Sequence, residues 1–294
     1  MFTLAHLSDP HLAPLPKPRL TQLFGKRLTG YVNWQRKRRF VHDPAVLAKI
    51  TSDMAQQAPD HIAVTGDLAN IGLPDEFLRG RDWLQTLGSV RDVSFVLGNH
   101  DVYVNDAIQY AARVWGPYMT DDDGSAGFPY LRRRGPVALV GLSSGVPTAP
   151  LLATGLVGNK QLMGLAAILN GLKDESLFRV VMIHHPPVSV AAGHKLLLDA
   201  KVLLKLLAEF GAELVIHGHD HLSMLSWLGG PGGGKIPAVG VPSASAVPGA
   251  GHAAAAYHLY KIGGEKGAWN CELISRGITP AGEVVEQKRM NLFS

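Results

Sequence analysis

A single cysteine in 294 residues leaves no room for a disulfide framework or a thiolate-rich zinc site. Cys271 stands in an apolar, strand-like stretch and reads as packing. No apolar run approaches the roughly 18 residues of a membrane-spanning helix. The opening Phe2-Thr3-Leu4-Ala5-His6-Leu7 lacks the basic start and small-residue cleavage site of a signal peptide. These absences and the lone thiol predict a cytoplasmic protein. Acid is missing from one stretch, since residues 17–42 carry eight Lys and Arg and no Asp or Glu. Taking those eight from 28 leaves 20 basic against 24 acidic residues, so the net charge of +4 is local in origin. A phosphate loop is lacking too. The Gly-rich hexamer 229–234 has no Lys-Ser/Thr ending and no helix behind it, and reads as a hairpin turn.

The apolar share, 46%, is enough for a soluble globular core. Short β-branched or apolar runs predict strands at 2–7, 61–65, 93–97, 137–142, 179–183 and 213–216. Amphipathic segments between them predict helices at 44–57, 75–87, 106–115, 159–172 and 196–210. Pro44 suits a first helical turn and Gly211 a helix stop. Further strands are expected at about 236–241, 255–262 and 269–274. No repeat or linker divides the chain, which predicts one domain over 1–294, with a basic insertion at about 14–42 and a strand-rich part at about 222–294.

Five polar clusters close the predicted strands: Asp9-Pro10-His11, Gly66-Asp67, Gly98-Asn99-His100-Asp101, His184-His185-Pro186-Pro187 and Gly218-His219-Asp220-His221. Loops at the carboxyl ends of strands in an α/β architecture meet on one rim. Each cluster alone is a weak signal. Together they supply carboxylate, amide and imidazole donors, the mixture that suits first-row divalent metals at a catalytic centre.

In this order, from residue 9 to residue 221, the blocks D-x-H, G-D, G-N-H-D, histidine before proline and G-H-x-H resemble the calcineurin-like metallophosphoesterase superfamily. The chain is similar to its cyclic-nucleotide phosphodiesterase branch. The resemblance implies an α+β fold, a four-layer αββα sandwich of two packed sheets flanked by helices. It further implies two divalent ions (Mn, Fe or Zn), one held by Asp9, His11 and His221, the other by Asn99, His184 and His219, with Asp67 bridging. Hydroxide from a shared water would then be the nucleophile. His100 is the expected catalytic and substrate-contacting group, donating to a phosphoryl oxygen or protonating the leaving oxygen, with Asp101 orienting it. The pattern of His, one residue, then Pro selects His184 over His185. Period-two alternation puts His217 on the same side as His219 as a support rather than a ligand. His6, Asp220, His252 and His258 have no motif partner and read as structural or exposed.

The basic insertion interleaves Leu20, Phe24, Leu28 and Tyr31 with Lys26, Arg27 and the run Arg36-Lys37-Arg38-Arg39. Three uses are compatible with it: contact with an anionic membrane surface through residues 17–40, a wall of the substrate cleft, or a solvated helical hairpin packed on the domain. Nucleic-acid binding is disfavoured, because no groove-reading module accompanies the patch. Arg27, and His194 in the loop at Gly193-His194, are further candidates for substrate contact. The expected substrate is a small phosphodiester, a cyclic nucleotide or glycerophosphodiester. The alternative is a lipid-linked nucleotide diphosphate of the UDP-diacylglucosamine type, met peripherally at the inner membrane face. A scaffold without turnover is opposed by the intact ligand set. Oligomeric state leaves no trace.

Overall fold

The structure is a computed structural model that describes residues 1–189, 193–249 and 251–293. The first half of the chain runs β1 (Phe2–Leu7), α1 (Lys26–Arg36), α2 (Pro44–Gln56), β2 (His61–Val64), α3 (Pro74–Leu87), β3 (Val93–Phe95), α4 (Asn105–Trp115), β4 (Tyr130–Arg134) and β5 (Val137–Gly141). The second half runs α5 (Asn159–Gly171), β6 (Phe178–Met182), α6 (Ala200–Phe210), β7 (Leu214–His217), β8 (Met224–Gly229), β9 (Lys235–Gly240), β10 (Ala256–Gly263), β11 (Asn270–Ile278) and β12 (Val284–Asn291).

These strands form two six-stranded mixed sheets, ordered β12-β11-β10-β1-β2-β3 and β4-β5-β6-β7-β9-β8. Within them β1, β2 and β3 run parallel, as do β5, β6, β7 and β9. Side-chain alternation shows how the layers stack. In the second sheet Leu139, Val180, Leu214 and Ile216 join the core shared with Leu4, Leu7 and Val64 of the first. Their sequence neighbours Val140, Val181 and Val215 face the opposite way and pack against Leu162, Leu165 and Leu169 of α5 and Leu203 and Leu207 of α6. Strands buried on both faces are what a parallel sheet covered by helices requires. The result is the four-layer αββα sandwich. Cys271 is buried in this core, where its thiol is pushed up to about 12 by burial.

Departures from the expected elements have local causes. Residues 196–199 do not extend α6, because Leu198 N donates to Gly155 O and the Asp199 carboxylate accepts from Val157 N and Gly158 N, holding an adjacent loop instead. The 229–234 glycines make the β8–β9 hairpin, closed by Gly230 N to Gly234 O at 2.7 Å. Lysine and arginine in the insertion form a true helix, α1. It docks closely at Gly30, where a Cβ would stand 2.5 Å from Tyr103 Oη. No helix among the described residues is long and apolar enough to cross a membrane.

Candidate metal centre

The parallel strands of both sheets deliver their carboxyl ends to one rim. Asp9 and His11 follow β1, Asp67 follows β2, Asn99 follows β3, His184 follows β6, and His219 and His221 follow β7. Backbone bonds lock these turns to each other: Asp9 N to Gly66 O at 3.0 Å, His11 N to Asp67 O at 3.0 Å and Gly218 N to His184 O at 3.1 Å. The two sheets are tied across the seam by His219 N donating to Asp9 Oδ2 at 3.1 Å and Ala244 N donating to Ser8 O at 2.9 Å.

The turns are sharp enough to force unusual backbone. Among the described residues seven non-glycines have positive φ, and five of them are Asp9, His11, Asp67, His219 and His221. Such conformations cost about 1 kcal/mol or more each for residues with a Cβ. Gly98 and Gly218 are required by closeness rather than dihedral, since a Cβ on Gly98 would stand 2.2 Å from Asp67 Oδ1 and one on Gly218 1.9 Å from Ser8 Oγ.

Two clusters of donor atoms result. Asp9, His11 and His221 offer atoms within 4.8 Å of one another, with His11 Nε2 and His221 Nε2 3.4 Å apart and His221 Nε2 3.1 Å from Asp9 Oδ1. In the second cluster Asn99 Oδ1 lies 3.2 Å from His184 Nε2 and 3.0 Å from His219 Nδ1, and those two nitrogens are 3.3 Å apart. Asp67 Oδ2 stands 3.8 Å from His11 Nε2 and 3.4 Å from His184 Nε2, so one oxygen faces both clusters.

The other ring nitrogens define the tautomers. His184 Nδ1 faces Thr65 O at 2.7 Å, His219 Nε2 faces Lys195 O at 3.0 Å and His11 Nδ1 faces Ala69 O at 3.2 Å. With protons on those carbonyl-facing nitrogens, it is the inward nitrogens whose lone pairs a cation would take. Nitrogens this close to each other, with carboxylate oxygens among them, suit a cation at their focus. Electrostatics agree. Burial disfavours a charged imidazole, but the Asp67 and Asp9 carboxylates push His184 up to about 10, so a proton competes with a cation for its inward Nε2. Burial also disfavours the Asp9 and Asp67 carboxylates, yet His221 and His184 respectively hold them below the usual range. Carboxylates this deeply buried attract whatever positive charge is available. The donor set therefore fits divalent cations.

His185 is excluded as a ligand by its partners: Ser144 Oγ is 2.8 Å from Nδ1 and Ala153 O is 3.1 Å from Nε2. His217 is buried beside Gly218, its Nδ1 3.3 Å from the Gly218 carbonyl. Of the histidines without a motif, His6 is buried on Thr65 Oγ1 and His258 is buried among His6 and Tyr260. His252 Nδ1 lies against Ala253 O, and Asp220 accepts from Ser189 Oγ.

The expected role of Asp101 is corrected. Its carboxylate accepts from Asp67 N at 2.7 Å, Ala69 N at 3.0 Å and Gly98 N at 2.9 Å, and so pins two turns instead of orienting His100. Burial and the charge of Asp67 push Asp101 up to about 7. His100 is oriented by Asn70 O, 2.6 Å from its Nδ1, and stacks on Tyr103. Burial and Arg38 push its pKa down to about 3, so it is neutral near neutral pH, with Nε2 as a lone pair. In this tautomer it does not donate from Nε2. Arg27 is likewise corrected: its bonds go to Ile71 O, Gly72 O and the Asp106 carboxylate, which makes it a strut between α1 and α4. The His194 side chain is exposed, and its loop serves the centre through the Lys195 carbonyl.

Three groups at the rim carried no motif. Arg38 Nη2 is 2.7 Å from His11 Nδ1 and its Nη1 is 3.0 Å from both nitrogens of His100. The His42 ring lies 4.5 Å from that of His11, held by Ser245 Oγ at 2.9 Å. Lys26 is buried, 4.5 Å over the Tyr103 ring, and donates to Thr148 Oγ1. No local spacing rule distinguishes these from the exposed basic residues around them.

A model of the calcineurin-like phosphoesterases matches residues 2–223. The chain belongs to that family. Its donor set fits the two divalent ions of a dinuclear metallophosphoesterase. It is 28% identical over 189 residues to a probable cyclic nucleotide phosphodiesterase of a Synechococcus species. That match covers 62% of this chain and 66% of the relative, just under two thirds of the relative's length. A dimetal phosphatase from Danio rerio aligns over 97% of this chain and 98% of its own, with a TM-score of 0.62 and 15% identity. GAP50, the anchor in the inner membrane complex of Plasmodium, aligns over 100% and 89%, with a TM-score of 0.55 and 12% identity. At such identities the likeness is one of fold.

Proposed function

We propose that this phosphoesterase cleaves one ester bond of a small phosphodiester, a cyclic nucleotide or a glycerophosphodiester. Asp9, His11 and His221 would hold one divalent ion, Asn99, His184 and His219 the second, and Asp67 would be shared. The observation that carries this reading is the position of Asp67 Oδ2 between His11 Nε2 and His184 Nε2. Donors around one ion at about 2.0–2.2 Å lie roughly 3 Å apart, so an oxygen flanked by both imidazoles suits a bridging ligand. The diester class is supported by the 28% identity to the probable cyclic nucleotide phosphodiesterase.

When bound, a metal pair supplies an acidified water as nucleophile and neutralises charge on the phosphoryl oxygens. Mixed oxygen and nitrogen donors accept Mn, Fe or Zn. The chain's own part is placement. Asp67 Oδ1 accepts from His100 N at 2.7 Å, which fixes the Asn99 turn against the bridge. Carbonyls of Thr65, Ala69 and Lys195 hold the imidazoles in the ligating tautomer. His100, neutral and fixed by Asn70 O, forms one wall of the substrate cleft and accepts rather than donates at Nε2.

The test is turnover of bis(p-nitrophenyl) phosphate, cyclic nucleotides and glycerophosphodiesters by the Mn(II)-loaded protein, with chelator reversal. Cleavage of p-nitrophenyl phosphate without any diester would overturn the diesterase reading. An absence of metal-dependent hydrolysis throughout would overturn the function itself.

One observation favours a second reading, in which a cytoplasmic protein works at the inner membrane face on a lipid-linked nucleotide diphosphate. Leu20 and Phe24 on the insertion are 86% and 74% exposed, next to Lys17 and Arg19, and Phe40 is exposed beside Arg39. Apolar groups in water among cations suit an anionic bilayer surface. Flotation with phosphatidylglycerol vesicles but not with phosphatidylcholine vesicles is expected under this reading, and no flotation with either removes it.

A further inference from the structure

Arg38 enters the centre from the basic insertion, and the elements around it hold it there. Its backbone begins a short helical turn, Arg38–Phe40, whose exit is fastened by His42 N to Arg38 O at 3.0 Å, Asp43 N to Ser245 O at 2.9 Å and Val247 N to Val41 O at 2.9 Å. Upstream, Lys26 ties α1 to the loop at Thr148 and Leu152, at 2.5 and 3.2 Å. The guanidinium therefore comes from a packed element rather than a solvated arm.

Its partners do not satisfy it. A His11 that ligates a cation through Nε2 carries its proton on Nδ1, which faces Ala69 O, and His100 carries its proton on the Nδ1 that faces Asn70 O. Arg38 Nη2, 2.7 Å from His11 Nδ1, thus meets a donor and not an acceptor. His100 Nε2 is the single lone pair left near Nη1, at 3.0 Å and shared with the equally distant Nδ1. Among the described residues Arg38 forms no ion pair with a carboxylate. A half-buried guanidinium with five donors and one imidazole acceptor lacks an anion. Two divalent ions would outweigh the Asp9 and Asp67 carboxylates, so the occupied centre, with Arg38 at its edge, carries surplus positive charge. A phosphoryl group answers both deficits, and arginine meets it with parallel N–H donors.

We infer that Arg38 is a substrate-binding residue, which grips a non-bridging oxygen of the scissile phosphate from the same wall as His100 and Tyr103. This rests on the phosphoesterase reading, but phosphate capture is measurable without turnover. The insertion thereby completes the site. Its removal would cost substrate affinity even where no membrane is involved.

The experiment is calorimetric titration of inorganic phosphate into the Mn(II)-loaded full chain, for wild type, Arg38→Lys and Arg38→Ala, with bound Mn(II) and melting temperature measured alongside. Arg38→Ala is expected to weaken phosphate binding about ten- to a hundred-fold at unchanged Mn(II) content, the range of a lost charge-assisted bond. Arg38→Lys keeps the charge but not the fork, and is expected to fall between. Added methylguanidinium should restore phosphate affinity to Arg38→Ala. In the diester assay KM should rise by a larger factor than kcat falls. Unchanged phosphate affinity in both variants would overturn the inference. So would a loss of Mn(II) that accounts for all of the lost phosphate, because Arg38 would then be supporting His11. Failure of the phosphodiesterase reading would look different: wild type would bind phosphate through Arg38 yet hydrolyse no diester.

Discussion

His185 packs against His219, ring centroids 4.2 Å apart, yet neither of its nitrogens is free for a metal, because Ser144 Oγ and Ala153 O occupy them. Its neighbour His184 spends only Nδ1 on the protein, at Thr65 O, and keeps Nε2 for the cluster. Two adjacent histidines thus differ in whether a nitrogen is left for a cation. His184→Ala is expected to remove one equivalent of Mn(II). His185→Ala should keep the metal and lose about 1–3 kcal/mol of stability, from partners left unsatisfied. Metal analysis and urea unfolding separate the pair, and equal metal loss in both would defeat the assignment.

Asp67 faces both clusters, so its variant should differ from those of one-sided ligands. Asp67→Asn keeps an oxygen for His100 N but gives up the charge that opposes two cations. Mn(II) affinity at both sites is expected to fall at least about ten-fold. Asn99→Ala should weaken one site and spare the other. A stepwise Mn(II) titration that shows Asp67→Asn affecting a single site would remove the bridge.

Glycine at 98 reports the same carboxylate through space. A Cβ there would stand 2.2 Å from Asp67 Oδ1, which is held by His100 N, and 2.7 Å from the backbone N of Asp67, which cannot move aside. Gly98→Ala is expected to cost roughly 1–3 kcal/mol by overpacking and to lower kcat for bis(p-nitrophenyl) phosphate more than a Gly171→Ala control, which stands in open space with an ordinary negative φ. Equal activity in the two variants would contradict the close approach.

Away from the centre, Asp53 on α2 accepts from Arg276 Nε and Nη2, each at 2.7 Å, and from Tyr257 Oη at 2.6 Å. Burial opposes its charge, but these bonds lower its pKa below the ordinary 3.8. A depressed carboxylate stabilises the fold in full above the unfolded value and loses that contribution as pH falls through the folded one. Asp53→Asn should cost about 1–3 kcal/mol near pH 7, with the difference narrowing below about pH 4. Denaturation curves at the two pH values check it, and a constant difference would mean that the charge plays no part.

The turns that bring the donor atoms together are legible because each sits at the end of an apolar run, where strand period and a Gly-x or D-x-H motif coincide. The basic wall of the site is not. Arg38 stands in a run of four cations and only Arg38 turns inward, a choice made by contacts with His11 and His100, 27 and 62 residues away. The missed strands have similar causes. β4 reads Tyr-Leu-Arg-Arg-Arg, and its buried Arg132 hides the alternation by spending its donors on the Pro117, Thr120, Val90 and Val93 carbonyls. β12 lies at a sheet edge, largely exposed, so no apolar face betrays its period. The resemblance carried by the G-N-H-D block pairs Asp101 with His100. Three backbone amides claim it instead.

The left-handed backbone at Asp9, His11, Asp67, His219 and His221 sets two kinds of selection against each other. Glycine adopts that backbone without a steric penalty, so at these positions the residue that relaxes the fold is the one that abolishes the chemistry. A library screened for heat resistance alone should therefore admit glycine first at His221, the least buried of the five, because the cavity left at the other four would cost more than the relaxed backbone returns.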